Sequence, residues 1–142
     1  MHALKMLHQL LEKNCPNIHR RRLSRVITQV QALMFGLTLT VTGLGRSRVR
    51  TIGMKHAIKQ SDRLVGNPHL YQERWRIYQA IAHVLLHRIK RPLISIDWSD
   101  YTYDRSQLLL RAAVAVGGRT LTLYEEVHPY RYYGNARIQK RF

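Results

Sequence analysis

The chain has 142 residues, of which 45% are hydrophobic, 24 are lysine or arginine and eight are acidic, so its formal net charge is +16. This length and hydrophobic content fit a globular protein of ordinary domain size. The excess of positive charge points to a polyanionic partner, with nucleic acid as the leading candidate and an anionic membrane as the weaker alternative.

Positive charge is concentrated in the first two thirds of the chain. Residues 1–91 contain 17 basic and three acidic side chains, a net of +14, whereas residues 92–142 contain seven and five, a net of +2. The single cysteine, Cys15, excludes an internal disulfide and indicates a reducing compartment. Residues 26–45 are uncharged over a membrane-spanning length, but their glutamines, threonines and glycines argue against a span. We therefore predict a soluble, intracellular protein.

Apolar periodicity predicts five helices in the basic part of the chain. The first is expected to end near residues 14–16, the second to cover residues 19–35, a short third to begin after Thr40 or Thr42, the fourth to cover residues 54–65 and the fifth residues 68–87. The aromatic residues of the fifth helix, Tyr71, Trp75 and Tyr78, are predicted to lie in the core.

Four arginines occupy the start of the second predicted helix, namely Arg20, Arg21, Arg22 and Arg25. Positive charge there opposes the positive end of the helix dipole and is unfavourable for stability. A phosphate partner would offset that cost. The alternative, a solvated basic turn, remains equally open.

The fourth predicted helix has one apolar and one basic face. Lys55, Lys59 and Arg63 form the basic face, opposite the apolar stripe that begins at Met54. A short helix, a turn and a longer basic helix is the layout of a helix-turn-helix DNA reader. The alternative is the solvated face of a core helix, but the surrounding positive charge favours contact with nucleic acid.

The predicted DNA-binding residues lie in and just before this fourth helix. Lysine, arginine and glutamine side chains are suited to phosphates and base edges. The full set is Arg46, Arg48, Arg50, Lys55, His56, Lys59, Gln60 and Arg63.

From residue 92 the apolar period changes to two. Residues 93–98, 107–116 and 119–127 read as strands, and Gly117-Gly118 is a tight-turn signal between the last two. The sequence therefore predicts an α+β protein, with an all-helical DNA-binding domain over residues 1–91 and an antiparallel meander over residues 92–142.

Asp97 closes the most apolar of these strands. A carboxylate at the end of a buried strand is costly to keep charged unless a cation sits on it, which indicates a divalent metal ion. Phosphodiester cleavage by two metal ions needs several carboxylates. The candidates are Asp100 and Asp104, in a predicted turn, and Glu125 and Glu126, about 10 Å from Asp97 at strand spacing. The metal site is therefore expected to be incomplete.

Four segments together resemble the amino-terminal part of bacterial insertion-sequence transposases of the Tn-ten type, in the IS-four family of DDE transposases. They are residues 38–46 (TLTVTGLGR), 55–67 (KHAIKQSDRLVGN), 96–100 (IDWSD) and 119–125 (RTLTLYE). The similarity runs through most of residues 1–128. The four segments together are specific for this family, although any one of them alone would be weak support.

The resemblance implies a helical domain that binds the terminal inverted repeats of the mobile element, double-stranded DNA, followed by a ribonuclease-H-like catalytic domain. It places the first acid of the DDE triad, a Mg²⁺ ligand and catalytic residue in the complete enzyme, at Asp97. The second aspartate and the Tyr-Arg-Glu-Lys signature of the family have no counterpart in this chain. We therefore expect the first three strands of an incomplete ribonuclease-H-like domain that does not hold Mg²⁺ stably, with an exposed apolar edge at residues 93–98.

Three functional hypotheses follow. The first is a transposase by ancestry, made for cut-and-paste DNA recombination, that binds element-end DNA in the bacterial cytoplasm, at the nucleoid, but does not cut it. The second is a stand-alone DNA-binding regulator or a trans-acting inhibitor, for which a full-length transposase is a candidate partner. A small RNA- or ribosome-binding protein fits the charge but leaves the strand of Asp97 unexplained.

Overall fold

A computed structural model describes residues 2–35, 39–47 and 52–142. Five helices precede a three-stranded antiparallel sheet, which confirms the α+β class. The helices are α1 (His2–Asn14), α2 (Arg20–Phe35), α3 (Val41–Arg46), α4 (Met54–Val65) and α5 (Pro68–Leu86), and the strands are β1 (Ile94–Asp100), β2 (Gln107–Val116) and β3 (Arg119–Pro129). A 3₁₀ turn (Tyr130–Tyr132) and helix α6 (Ala136–Arg141) follow the sheet.

The chain forms two compact units, Met1–Ala80 and Ile81–Phe142, which divide within α5. The sequence placed the boundary after residue 91, where the spacing of apolar residues changes. Both the sequence-based boundary and the structural one separate α1–α4 from the sheet. The first unit contains 14 basic and three acidic residues, a net charge of +11. The excess of positive charge therefore belongs mainly to the helical unit.

Helix α2 is the centre of the helical unit, since it contacts α1, α3 and α4. Leu23 of α2 is buried, as are Leu11 of α1 and Leu64 of α4. Burying such apolar side chains contributes about 1.5–3 kcal/mol each. The predicted bounds of α2 and α4 agree with the structure to within one residue.

Helix α3 is short, and its start is fixed by a side-chain cap. The Thr40 Oγ1 accepts a hydrogen bond from the Gly43 backbone N at 3.0 Å. This is the usual role of threonine before a first helical turn, and it confirms the expected helix after Thr40. Near its end Gly45 is buried directly against Ile58 of α4.

Two aromatic residues of α5 are exposed rather than in the core. Tyr71 and Trp75 lie at the surface, and the guanidinium carbons of Arg74 and Arg76 lie 4.0 Å and 5.3 Å from the respective ring centres. The prediction that these rings belong to the core is wrong, because the one buried position of α5 is occupied by the small side chain of Ala80. The arginines cover the rings through cation–π contacts.

The sheet has the predicted meander order β1-β2-β3, with both pairs antiparallel. Gly117 and Gly118 form the turn between β2 and β3, with φ values of 56° and 73°. Backbone in that region favours glycine, so this dipeptide fixes the turn. The pairing of β2 with β3 has an irregular register between Ala112 and Ala113 of β2.

Strand β1 is exposed, contrary to the prediction of a buried strand. Among the described residues it pairs only with β2 and lies at the edge of the sheet, and Trp98 is its one partly buried residue. Ile94 and Ile96 are exposed to 44% and 51%, and Leu93 just before the strand to 80%. The apolar composition predicts a strand correctly, but burial depends on what packs against it. The expected exposed apolar edge is confirmed.

The segment after β3, which has little regular sequence pattern, is ordered against the sheet. Asn135 caps α6 by accepting hydrogen bonds from the backbone N atoms of Arg137 and Ile138 at 3.0 and 3.2 Å. The ring of Tyr133 meets that of Trp98 edge-on at 6.1 Å. Such ring contacts hold the segment through aromatic packing rather than through a periodic apolar face.

Candidate nucleic-acid interface

Helix α4 presents the basic face that the sequence predicts. Lys55, Lys59 and Arg63 are exposed, whereas Ala57, Ser61 and Leu64 on the other side are buried. Over residues 2–35, 39–47 and 52–142, none of the three cations lies within 4.0 Å of a carboxylate oxygen. At 1.5 Å per residue the three charges extend over about 12 Å along the helix.

The buried side of α4 is fixed by a hydrogen-bond chain as well as by apolar packing. The Gln29 Nε2 of α2 donates to the Ser61 Oγ at 2.9 Å, and that hydroxyl donates to the Ala57 backbone O at 3.1 Å. Both side chains are buried. Because a buried polar group needs its partner, this chain sets the rotation of α4 and therefore the direction of its basic face.

The remaining predicted DNA-binding residues differ in their positions. His56 is exposed beside the basic face, and Gln60 is half-buried. Arg46 is exposed in the last turn of α3. Arg48 and Arg50 lie outside the described residues. Residues 47–53 separate α3 from α4, a longer connection than the three- or four-residue turn of most helix-turn-helix motifs.

A basic recess lies where the start of α2 meets the end of α4. Its volume is about 310 Å³. It is lined by His19, Arg21, Arg22, Arg25, Arg63, Leu64 and Asn67. Arg63 therefore belongs both to the basic face of α4 and to this recess. Sequence reasoning noted the arginines of α2 but missed their union with Arg63, which only the packing of α2 on α4 reveals.

One of the recess arginines is already neutralised. Arg22 Nη1 lies 3.2 Å from Glu73 Oε1 of α5, and both side chains are mostly buried. The helix starts nearby are capped within the chain. The His19 Nδ1 accepts from the Arg21 backbone N at 3.2 Å, and the Asn67 Oδ1 accepts from His69 N at 3.0 Å.

Asp97 is exposed on β1, so the premise of a buried carboxylate is wrong. Its Oδ1 accepts a hydrogen bond from the Trp98 backbone N at 2.9 Å. Directly across the sheet stands Arg111 of β2, and across from that Glu125 of β3. The Arg111 Nε lies 3.1 Å from the Glu125 Oε2. Arg111 on the middle strand thus lies between Asp97 and Glu125, which are about 10 Å apart at strand spacing.

The other candidate acids are engaged elsewhere. Glu126 alternates to the opposite face of the sheet from Glu125. There it accepts a 2.6 Å hydrogen bond from Tyr124 Oη and lies 3.1 Å from His128 Nε2. Asp100 forms an ion pair with Arg105 at 3.0 Å.

Asp104 is a turn residue in the β1–β2 connection. Its Oδ1 accepts hydrogen bonds from the backbone N and the hydroxyl of Ser106 at 3.1 and 2.9 Å. Hydrogen bonds from Thr102 first, and then from Ser106, hold the pKa of the Asp104 carboxyl below its usual range. These contacts organise the turn and do not direct the carboxylate toward Asp97.

The residues around Asp97 do not fit a Mg²⁺ site. Within the described part of the chain, no group of three histidine, cysteine or acidic side chains could hold a metal ion. Mg²⁺ in a nuclease-type site is shared among carboxylates, and here the acid nearest in register is paired with an arginine. Among the described candidate residues, the cations lie together on the helical unit, whereas Asp97 and Glu125 lie on strands separated by Arg111.

Among the described residues, none of the helices combines the length and apolar character that crossing a membrane requires. Comparison of the chain with protein-family models, curated proteins and solved structures finds no match in any of the three. The resemblance to transposases therefore rests on its four sequence segments alone.

Proposed function

We propose that the helical unit binds double-stranded DNA through the basic face of α4, with α3 packed behind it as the first helix of a helix-turn-helix-like pair. The observation that carries this proposal is the row of Lys55, Lys59 and Arg63, exposed and without carboxylate partners in the described chain, on a helix whose other face is fixed in the core. Phosphate oxygens are the natural partners of such a row.

The same proposal assigns the chain to the amino-terminal part of a DDE transposase of the IS-four family, Tn-ten type, in which this surface binds the terminal inverted repeats. The four resembling segments support it. So does the position of Asp97 on the first strand of an antiparallel meander that follows a helical unit. The separation of Asp97 from the other carboxylates supports binding without cleavage.

Binding of a short duplex, followed by fluorescence anisotropy as salt is raised, tests the interface. Three phosphate contacts would give a slope of log K against log salt of about −2.7, at about 0.9 per phosphate neutralised. The variant Lys55→Ala/Lys59→Ala is expected to reduce the slope by about 1.8 on the same basis. A matched control, Lys5→Ala/Lys13→Ala, removes two exposed charges from α1 and should leave the slope nearly unchanged. Equal slopes for the two variants would contradict the assignment of α4.

The absence of cleavage is tested separately with supercoiled DNA that carries the element ends. We expect no nicking by this chain with Mg²⁺ or Mn²⁺. Nicking that disappears in Asp97→Ala would overturn the claim that the reaction centre is incomplete.

The position of Asp97, apart from the other acids, favours a second candidate: a stand-alone DNA-binding regulator or trans-acting inhibitor of a full-length transposase. This candidate predicts that added chain lowers excision by the full-length enzyme, and that the Lys55→Ala/Lys59→Ala variant does so less. An excision assay with the chain titrated in tests this candidate, since unchanged excision would exclude the inhibitor.

A further inference from the structure

The recess between α2 and α4 carries more positive charge than folding requires. Arg21 and Arg25 are one helical turn apart on the same side of α2, and Arg63 approaches from the end of α4. In the described part of the chain, ion pairs reach only Arg22 among the four recess arginines. Three like charges therefore converge on one space, an arrangement that is unfavourable until an anion enters it.

The shape and lining of the recess indicate the class of anion. At about 310 Å³ the recess is large enough to admit a phosphodiester group. Pockets for small organic ligands are mostly apolar, whereas Leu64 is the single apolar side chain in this lining. Arginine forks match phosphate oxygens in pairs, a geometry that lysine does not supply.

The surroundings of the recess indicate that the phosphate belongs to a polymer. A second recess of about 410 Å³ is lined by Arg20, Arg21, Ser24 and Arg25, so the basic surface continues along α2. In the other direction Arg63 joins the recess to Lys59 and Lys55 on α4. A track of positive charge that runs across two helices matches the spaced phosphates of a nucleic-acid strand better than a single small anion.

We propose that this recess is a second DNA-contact site, in which Arg21, Arg25 and Arg63 hold one backbone phosphate of double-stranded DNA beside the segment that α4 contacts. The inference rests on the proposed function and extends its footprint onto α2. The recess contributes affinity and orientation rather than sequence recognition, because phosphate contacts are the same for every sequence.

The test compares Arg21→Ala/Arg25→Ala with the control Lys5→Ala/Lys13→Ala, which removes the same charge from α1. All four side chains are exposed, and circular dichroism checks that both variants keep their helix content. With a short duplex of random sequence, the recess variant is expected to bind about tenfold more weakly, as for loss of one charge-assisted contact. Its salt slope should fall by about 0.9, while the control changes little.

A further variant examines whether Arg63 shares the same phosphate. Arg63→Ala should weaken duplex binding in the wild-type chain but have a much smaller effect in the Arg21→Ala/Arg25→Ala background, because the phosphate is already lost. Additive effects of the two changes would mean that Arg63 contacts a different phosphate and would overturn the shared site.

The outcomes separate this inference from the proposed function. If Lys55→Ala/Lys59→Ala lowers the salt slope and Arg21→Ala/Arg25→Ala behaves like the control, the recess inference fails and the α4 interface stands. If only Arg21→Ala/Arg25→Ala lowers it, the recess stands and the α4 interface fails. If the recess variant instead loses binding to phosphatidylserine vesicles while its duplex binding is unchanged, the surface serves a membrane and the inference is wrong.

Discussion

The close contact between α3 and α4 at Gly45 provides the sharpest test of the helical packing. A Cβ atom added at Gly45 would lie 2.5 Å from Ile58 Cγ1, 2.6 Å from Ile58 Cα and 2.7 Å from Ile58 N. Carbon atoms pack best at about 3.5–4.0 Å, so the two helices would have to separate by roughly 1 Å. We therefore expect Gly45→Ala to disturb the α3–α4 pair that the DNA proposal requires.

The expected magnitude is a balance of two effects. Overpacking of a core contact costs about 1–3 kcal/mol, whereas replacing glycine by alanine within a helix gains about 0.5–1 kcal/mol. The net change for Gly45→Ala is therefore a loss of up to about 2.5 kcal/mol in the free energy of unfolding. Urea denaturation followed by far-UV circular dichroism measures it.

Gly66→Ala at the other end of α4 is the matched control. Gly66 has φ of −79°, and its added Cβ would meet only Asp62 O at 3.5 Å, an ordinary contact. Alanine there should raise stability by about 0.4–1 kcal/mol through the unfolded state. The two substitutions are thus expected to have opposite signs.

A second-site change distinguishes backbone from side-chain obstruction. Because two of the three close atoms at Gly45 are backbone atoms of Ile58, the double variant Gly45→Ala/Ile58→Ala should not recover the stability of Ile58→Ala alone. Full recovery, or a Gly45→Ala variant as stable as Gly66→Ala, would refute the packing argument.

Three further predictions concern the core thiol, the buried hydrogen bond and the sheet edge. Ser61→Ala should lower the free energy of unfolding in urea by about 1–3 kcal/mol, because it leaves Gln29 Nε2 buried without its acceptor. The double variant Gln29→Met/Ser61→Ala should recover most of that loss. A loss under about 0.5 kcal/mol for Ser61→Ala would contradict the role of this hydrogen bond. Burial raises the pKa of the Cys15 thiol, so this thiol ionises at lower pH in the unfolded chain than in the folded one. The stability of the wild-type chain should therefore decline as pH rises above about 8.5, whereas Cys15→Ala should not show this decline. Parallel profiles of stability against pH for the two chains would exclude the effect. Ile96→Lys on the exposed edge of β1 should slow aggregation measured by light scattering several-fold, and more than Val127→Lys on β3; an equal effect at both edges would show that β1 is not the pairing site.

Local sequence signals predicted most of the elements. The bounds of α4 follow from its 3.6-residue apolar period and from Gly66-Asn67-Pro68, which ends one helix and starts the next. The β2–β3 hairpin follows from Gly117-Gly118, and the start of α3 from the capping capacity of Thr40. Each depends on neighbours in sequence, so no knowledge of tertiary contacts is needed.

The features that were not predicted depend on contacts distant in sequence. The apolar composition of β1 indicated a buried strand, so Asp97 was interpreted as needing a compensating cation, and only the resemblance indicated an exposed edge. The recess joins Arg21 and Arg25 to Arg63 across about 40 residues, and only the packing of α2 on α4 brings them together. The order of the last residues comes from aromatic rings such as Tyr133, which have no regular spacing.

The Arg22–Glu73 pair places selection for folding and selection for DNA affinity in opposition. Glu73 neutralises Arg22, which would otherwise add a fourth positive charge to the recess. Removal of Glu73 would leave the mostly buried guanidinium of Arg22 without a counterion. Under selection for tighter DNA binding, we expect substitutions of Glu73 to arise only alongside stabilising changes elsewhere. Their recovery as single, fully stable variants from a mutational library would show that no such trade-off operates here.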